Sequence, residues 1–178
     1  MSTIAARSAA EPARKEIVRR FSRSLPSLST TLIGSTCWAL IMAASALLAT
    51  WINGWQTLQK FETIAILYAL GAALAFPIGL TLARLLSLGK SAETAFASVF
   101  LSLSLSTIGV TAALYALYYR RYYSAWHEDF LTVTWMFQFV FTSATALVQF
   151  AVLGVPLFFP VGFVALFVAS IWFARSTR

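Results

Sequence analysis

Long apolar runs separated by short polar intervals dominate the chain. Three runs cover about residues 31–51, 63–86 and 94–118, and a fourth, uncharged run extends over 131–173. A helix needs about 20 predominantly apolar residues to cross a bilayer, and each of the first three runs meets that length. The pattern therefore predicts an all-α chain that forms an integral membrane helical bundle.

The fourth run is too long for a single crossing. It contains 43 residues, counted from Leu131 to Phe173, and Gly154-Val155-Pro156 lies in its middle. Gly and Pro are the strongest local breakers of regular structure. We therefore expect two spans, about 131–153 and 156–173, joined by a tight turn, which makes five transmembrane helices. The alternative is four spans followed by a re-entrant or interfacial segment.

Basic residues suggest how the chain is oriented. Residues 1–30 form a Ser- and Arg-rich tail with six Lys or Arg, which predicts a cytoplasmic N-terminus. Five spans then place eight Lys or Arg inside and five outside, whereas four spans bring Arg175 and Arg178 inside as well. We expect the tail to meet anionic headgroups, either as an amphipathic helix over 12–25 or as a disordered segment. Residues 174–178 form a short basic tail.

Small and polar residues recur at helical spacing inside the predicted spans. Four small residues spaced by four predict a face for close helix packing, namely Gly71, Ala75, Gly79 and Ala83. The third and fourth spans each carry one candidate polar face, formed by Ser98, Ser102 and Ser106 and by Gln138, Thr142, Thr145 and Gln149. We expect the two faces to meet, since amides in apolar surroundings need partners. They either line a solute path or serve interhelical packing.

The stretch from Tyr118 to Phe130 is the most polar interval between apolar runs and holds the only histidine. Its candidate headgroup- or partner-binding residues are Arg120, Arg121, Trp126, His127, Glu128 and Asp129. The arginines can bind a lipid phosphate beside the aromatic rings. Alternatively, the stretch is an interfacial anchor in which an arginine pairs with an acid. Neighbouring residues seldom converge on one reacting atom, so the spacing indicates no catalytic geometry.

Composition narrows the chemistry. The chain is 60% hydrophobic and 11% charged, with a mean hydropathy of +0.79, whereas soluble domains are typically about a quarter charged. The net charge of +7 reflects orientation and anionic lipid rather than nucleic acid. One histidine and one cysteine argue against a metal site, a haem ligand pair or an intrachain disulfide. We expect no cofactor, and the lack of an acid deep in a span argues against an ion-driven pump.

These observations predict a non-catalytic accessory, assembly or scaffolding component of a membrane complex, partnered by another membrane protein or a second copy. A bacterial inner membrane is the expected location, and the mitochondrial inner membrane is the alternative. In its size and its predicted membrane spans the chain resembles small accessory subunits of membrane complexes. It resembles more distantly the GtrA-like proteins proposed to move lipid-linked sugars. No motif assigns a functional residue from either group to this chain. The alternatives are a small lipid, lipid-linked sugar or solute translocation component and a lipid-modifying enzyme that uses His127.

Overall fold

The computed structural model describes residues 19, 22, 24–54 and 58–176. This part of the chain is helical and contains no strand, which confirms the predicted all-α class. The five principal helices are α1 (Leu28–Ile52), α2 (Leu58–Ser87), α3 (Ala92–Tyr123), α4 (Val133–Gln149) and α5 (Val161–Ser176). Most of the predicted tail helix over 12–25 lies outside the described residues, and the last two residues of the 174–178 tail lie outside them entirely.

Four helical stretches in the described part are long and apolar enough to cross a membrane. They are Leu28–Ile52, Phe61–Ser87, Ala92–Trp126 and Val133–Phe158. The apolar helix Val161–Ser176 is shorter. Length and composition are therefore those of a multi-pass membrane protein.

Hydroxyl side chains begin three of the helices. Ser27, Ser91 and Thr132 each accept a hydrogen bond from the backbone N–H three residues later, which satisfies one free donor of the first turn. At its other end α3 continues to Tyr123, beyond the apolar run that ends near residue 118. Arg120 and Arg121 consequently lie in the last turns of a helix rather than in a loop.

Close helix contacts hold α1, α2 and α3 together. A Cβ atom at Gly71 would collide with the Thr111 hydroxyl of α3, and one at Gly79 would lie 3.1 Å from the Ser102 carbonyl oxygen. Small residues let the two backbones approach, so α2 and α3 share the most extensive interface. On the other side, the Trp38 Nε1–H of α1 donates a 3.0 Å hydrogen bond to the Thr107 hydroxyl of α3.

Helix α4 runs antiparallel to α3 along its final turns. The Arg120 guanidinium carbon lies 3.8 Å from the centroid of the Phe139 ring, early in α4. Further along, Phe150 follows α4 and packs on Tyr115, with ring centroids 5.7 Å apart. Residues further along this part of the chain therefore contact earlier residues of α3.

Helix α5 continues in the same direction. Phe163 packs edge-on against Phe100 of α3 at 6.2 Å between ring centroids, and Phe167 packs against Phe96 at 5.5 Å. These partners precede Tyr115 along α3, so α5 follows α4 toward the first residues of α3. The chain does not reverse between α4 and α5.

The interruption between these helices lies later than predicted. Phe150–Gly154 is π-helical and Val155–Phe158 is 3₁₀-helical, and the break follows at the cis peptide Phe159–Pro160. The predicted tight turn at Gly154–Pro156 is wrong. Pro156 stands in the first turn of the 3₁₀ segment, where a missing N–H costs least, so the chain stays helical through it.

Candidate functional sites

The break between α4 and α5 leaves backbone groups without helical partners, and Ser45 of α1 satisfies two of them. Its hydroxyl donates to the Leu157 carbonyl at 3.3 Å and accepts from the Gly162 N–H at 3.0 Å. Ser45 is fully buried. Irregular backbone at membrane depth is tolerated only where protein or water completes its hydrogen bonds. A single side chain thus bridges the two ends of the break.

A second side chain holds the π-helical segment that leads into the break. The Tyr68 hydroxyl of α2 donates to the Gly154 carbonyl at 2.5 Å, and its ring packs on Phe158 with centroids 4.8 Å apart. Tyr68 is only 2% exposed. The irregular backbone is therefore fixed from two sides, by α1 and by α2.

A cavity of about 320 Å³ opens beside the break, between α1, α3 and α5. Its walls are mainly apolar and include Trp38, Met42, Phe100, Phe158, Phe163 and Leu166. Two hydroxyls also line it. Thr107 accepts from Trp38, and Ser104 donates to the carbonyl of Phe100 in its own helix. Because these hydroxyls are engaged within the protein, the cavity suits an apolar chain.

A smaller cavity of about 200 Å³ lies on the other side of the irregular segment, between α2, α3 and α4. Tyr68, Tyr115 and Gln149 are among its lining residues. The structure thus places Gln149, one of the predicted intramembrane polar residues, at this cavity.

The two predicted polar faces do not meet. Ser98, Ser102 and Ser106 are buried, and the Ser102 backbone lies against Gly79 of α2. Gln138 instead bonds to the loop before α4, and Thr145 is exposed. The expected pairing of the glutamines with the serine face is therefore wrong. The side-chain contact of α4 with α3 at Phe139 is made by Arg120, which lies well beyond the three serines along α3.

The loop after α3 folds back onto α4. The Glu128 N–H donates to the Gln138 side-chain oxygen at 2.9 Å. Thr142 Oγ1 donates to the Gln138 carbonyl and lies 3.3 Å from His127 Nε2. A hydroxyl has one proton, so Nε2 must be the donor in the second contact. Gln138 and Thr142, predicted to lie on an intramembrane polar face for a path or for packing, instead hold the loop that carries His127.

Arg120 is the least satisfied polar side chain of this region. Its guanidinium lies over the Phe139 ring, and its Nε atom is buried without a hydrogen-bond partner. In the part of the chain that the structure describes, neither Arg120 nor Arg121 forms an ion pair with Glu128 or Asp129. The other candidates of this stretch are exposed, namely Arg121, Trp126, Glu128 and Asp129. Among the six candidates, only Arg120 and His127 are partly buried.

Sequence reasoning missed Ser45 and Tyr68. A tyrosine in the middle of an apolar helix is a usable signal, because its hydroxyl needs a partner when buried. Ser45 offers no comparable signal among the small residues of α1. Within the described residues, no three or more His, Cys, Asp or Glu side chains come together as a metal site.

Comparison with known proteins finds no matching family model, no matching curated protein and no matching solved structure. Function must therefore be argued from the geometry of the break, the cavities and the loop.

Proposed function

We propose that the chain crosses its membrane four times, with α4 and α5 forming the last crossing in series. The 43-residue run exceeds the about 20 residues that one crossing needs. It still fits one crossing because its contacts on α3 extend only from Arg120 to Phe96, about 36 Å at about 1.5 Å per residue, whereas a bilayer with its headgroups is about 40–45 Å thick. The antiparallel contacts of both helices with α3 support this arrangement. Ser45 lies seven residues before the end of α1. At about 1.5 Å rise per residue, the break that Ser45 bridges lies about 10 Å inside that end of the bundle. The last crossing is therefore a broken helix.

The distribution of basic residues supports the same arrangement. Arg84, Lys90 and Arg175 lie at the end of the bundle where α1 begins, and Arg120 and Arg121 lie at the other. By sequence position, the six basic residues of the N-terminal tail and Arg178 join the first group, making ten of thirteen. This bias exceeds the eight to five of a five-span chain and favours a cytoplasmic N-terminus.

We infer that the protein is a non-catalytic component that binds the apolar chain of a membrane lipid or lipid-linked compound. The observation that carries this proposal is the 320 Å³ cavity beside the break. An apolar cavity of about 150 Å³ suffices to bind benzene, so this one has room for a segment of acyl or isoprenoid chain.

The physical basis of such binding is packing rather than the hydrophobic effect. A lipid tail gains nothing by leaving one apolar medium for another, so affinity must come from dispersion contacts with a shaped wall. A wall fixed by Ser45 and Tyr68 can supply that shape. This favours one chain held in place, as in an accessory component that carries a structural lipid.

Translocation of a lipid or lipid-linked sugar is the second candidate, and the break itself favours it. Transporters commonly build their substrate sites at discontinuous helices. The two candidates share the cavity and differ in whether its occupant moves between leaflets.

Filling the cavity tests the proposal. Ser104→Phe places a ring in the cavity, and Ser143→Phe is its matched control because both serines are partly exposed and bond only to a carbonyl four residues earlier. We expect wild type and Ser143→Phe to retain lipid through gel filtration in mild detergent, measured by mass spectrometry, and Ser104→Phe to lose it.

Retention of the same lipid by Ser104→Phe would refute the binding proposal. Reconstituted liposomes then separate the two candidates. A lipid carrier leaves fluorescent lipid in its original leaflet, whereas a translocator moves it and loses that activity on Ser104→Phe.

A further inference from the structure

We propose that Arg120 binds the phosphate group of an anionic ligand at the end of the bundle formed by the last turns of α3. This site is separate from the lipid-chain cavity, which lies between α1, α3 and α5. Its first support is orientation. The guanidinium carbon sits 3.8 Å from the Phe139 ring centroid, and stacking on the ring fixes the plane of the guanidinium.

Its second support is an unmet hydrogen-bond requirement. The Nε atom of Arg120 is buried and has no partner in the described part of the chain. That atom is closed to an external ligand, but the two terminal nitrogens of the guanidinium are not buried and form no hydrogen bond among the described residues. Phosphate oxygens match the planar donor array of a guanidinium and form charge-assisted hydrogen bonds with it.

The neighbouring acids and histidine leave this requirement open. Glu128 and Asp129 are exposed and form no ion pair with Arg120 among the described residues. The Glu128 backbone is held by Gln138, and the His127 Nε2–H is directed to Thr142. The loop is therefore fixed by other partners, and the positive charge of Arg120 is free to meet an external anion.

The position of Arg120 indicates a lipid headgroup as the source of the phosphate. Tyr122 and Trp126 are exposed within one turn or two of Arg120, and their rings pack together at 5.6 Å between centroids. Tyr and Trp collect at the depth of the headgroups, where their apolar bodies and polar tips are both satisfied. Arg121, exposed beside them, adds long-range attraction.

The test measures phosphatidylglycerol binding to the full chain by native mass spectrometry in detergent, with phosphatidylcholine as reference. Arg120→Gln is compared with Arg121→Gln. The control removes the same charge from the next residue, which is exposed. We expect at least about a tenfold loss of phosphatidylglycerol affinity for Arg120→Gln, since a charged hydrogen bond is lost. For Arg121→Gln we expect less than about threefold, as for a screened surface charge.

Arg120→Lys separates the contribution of the positive charge from that of the planar donor array. Lysine keeps the charge without the flat donor array, so binding should fall as for Arg120→Gln. Equal losses for the 120 and 121 glutamine variants, or wild-type binding by Arg120→Lys, would overturn the proposal. Ser104→Phe should leave phosphatidylglycerol binding unchanged, which separates this site from the cavity.

Inorganic phosphate distinguishes the two sources of the group. If millimolar phosphate does not displace phosphatidylglycerol, the lipid headgroup is the ligand. If phosphate displaces phosphatidylglycerol from the wild type, and Arg120→Gln binds phosphate only at the background level, the site takes free phosphate. Either result supports a phosphate site at Arg120.

Discussion

Replacing Ser45 with alanine should destabilise the protein although it changes almost nothing in volume. The substitution removes one buried hydroxyl and leaves the Gly162 N–H and the Leu157 carbonyl without their partner. Neither a helical hydrogen bond nor, in a dry site, a water molecule can replace the Ser45 hydroxyl as the partner of these two groups. The perturbation is therefore confined to hydrogen bonding across the break.

The expected magnitude follows from the two contacts. An unpaired buried backbone donor costs about 1–3 kcal/mol, which applies to the Gly162 N–H with its 3.0 Å bond. The longer 3.3 Å bond to the Leu157 carbonyl adds less. Hydrogen bonds between membrane helices average about 0.6 kcal/mol because the unfolded chain also finds partners. Together these figures predict a loss of about 1–2 kcal/mol of unfolding free energy.

Ser170→Ala is the matched control. Ser170 is also fully buried, but its hydroxyl donates to the Leu166 carbonyl one turn earlier in its own helix. Removing that hydroxyl leaves no backbone N–H without a partner, and a serine that bonds back to its own helix adds little to stability, so we expect a change of less than about 0.5 kcal/mol. Unfolding of both variants is followed by helical circular dichroism during titration of mixed micelles with a denaturing detergent. If Ser45→Ala loses no more stability than Ser170→Ala, Ser45 does not hold the break.

Two further predictions concern topology and packing. In a Cys37→Ser chain, an impermeant maleimide should label Asp129→Cys and Arg175→Cys from opposite sides of the membrane; labelling from the same side would indicate five crossings. Gly71→Ala should destabilise by about 1–3 kcal/mol because its Cβ collides with α3, whereas Gly109→Ala, with nothing within 4 Å, should be neutral or slightly stabilising in the same detergent titration. Equal stability of the two alanine variants would contradict the close packing of α2 on α3.

The helices themselves follow from local properties of the sequence. Apolar runs of sufficient length predict α1, α2 and α3 because their backbones can satisfy themselves only as helices in an apolar layer. Spacing by four singled out Gly71 and Gly79, and the structure sets both against α3. These features depend on residues close in sequence, which is why pattern reasoning reaches them.

The candidate site depends on partners that no local pattern reveals. Gln138 and Thr142 fall on one helical face, which predicted a partner among the serines of α3, yet they bond to a loop ten or more residues earlier in the chain. The face was read correctly as polar and assigned to the wrong neighbour. Whether this face meets the serines of α3 or the loop before α4 depends on how α4 packs against the end of α3, which is a long-range contact.

The boundary between α4 and α5 shows the same limit in a stronger form. Gly154 and Pro156 are residues that commonly end helices, yet the chain remains helical through both and breaks at Phe159–Pro160. A break in an apolar layer can form only where other side chains satisfy the exposed backbone. Ser45 supplies those contacts for Leu157 and Gly162, and Tyr68 secures Gly154. The break therefore stands opposite Ser45, where a buried hydroxyl completes the hydrogen bonds of the backbone on both sides of it.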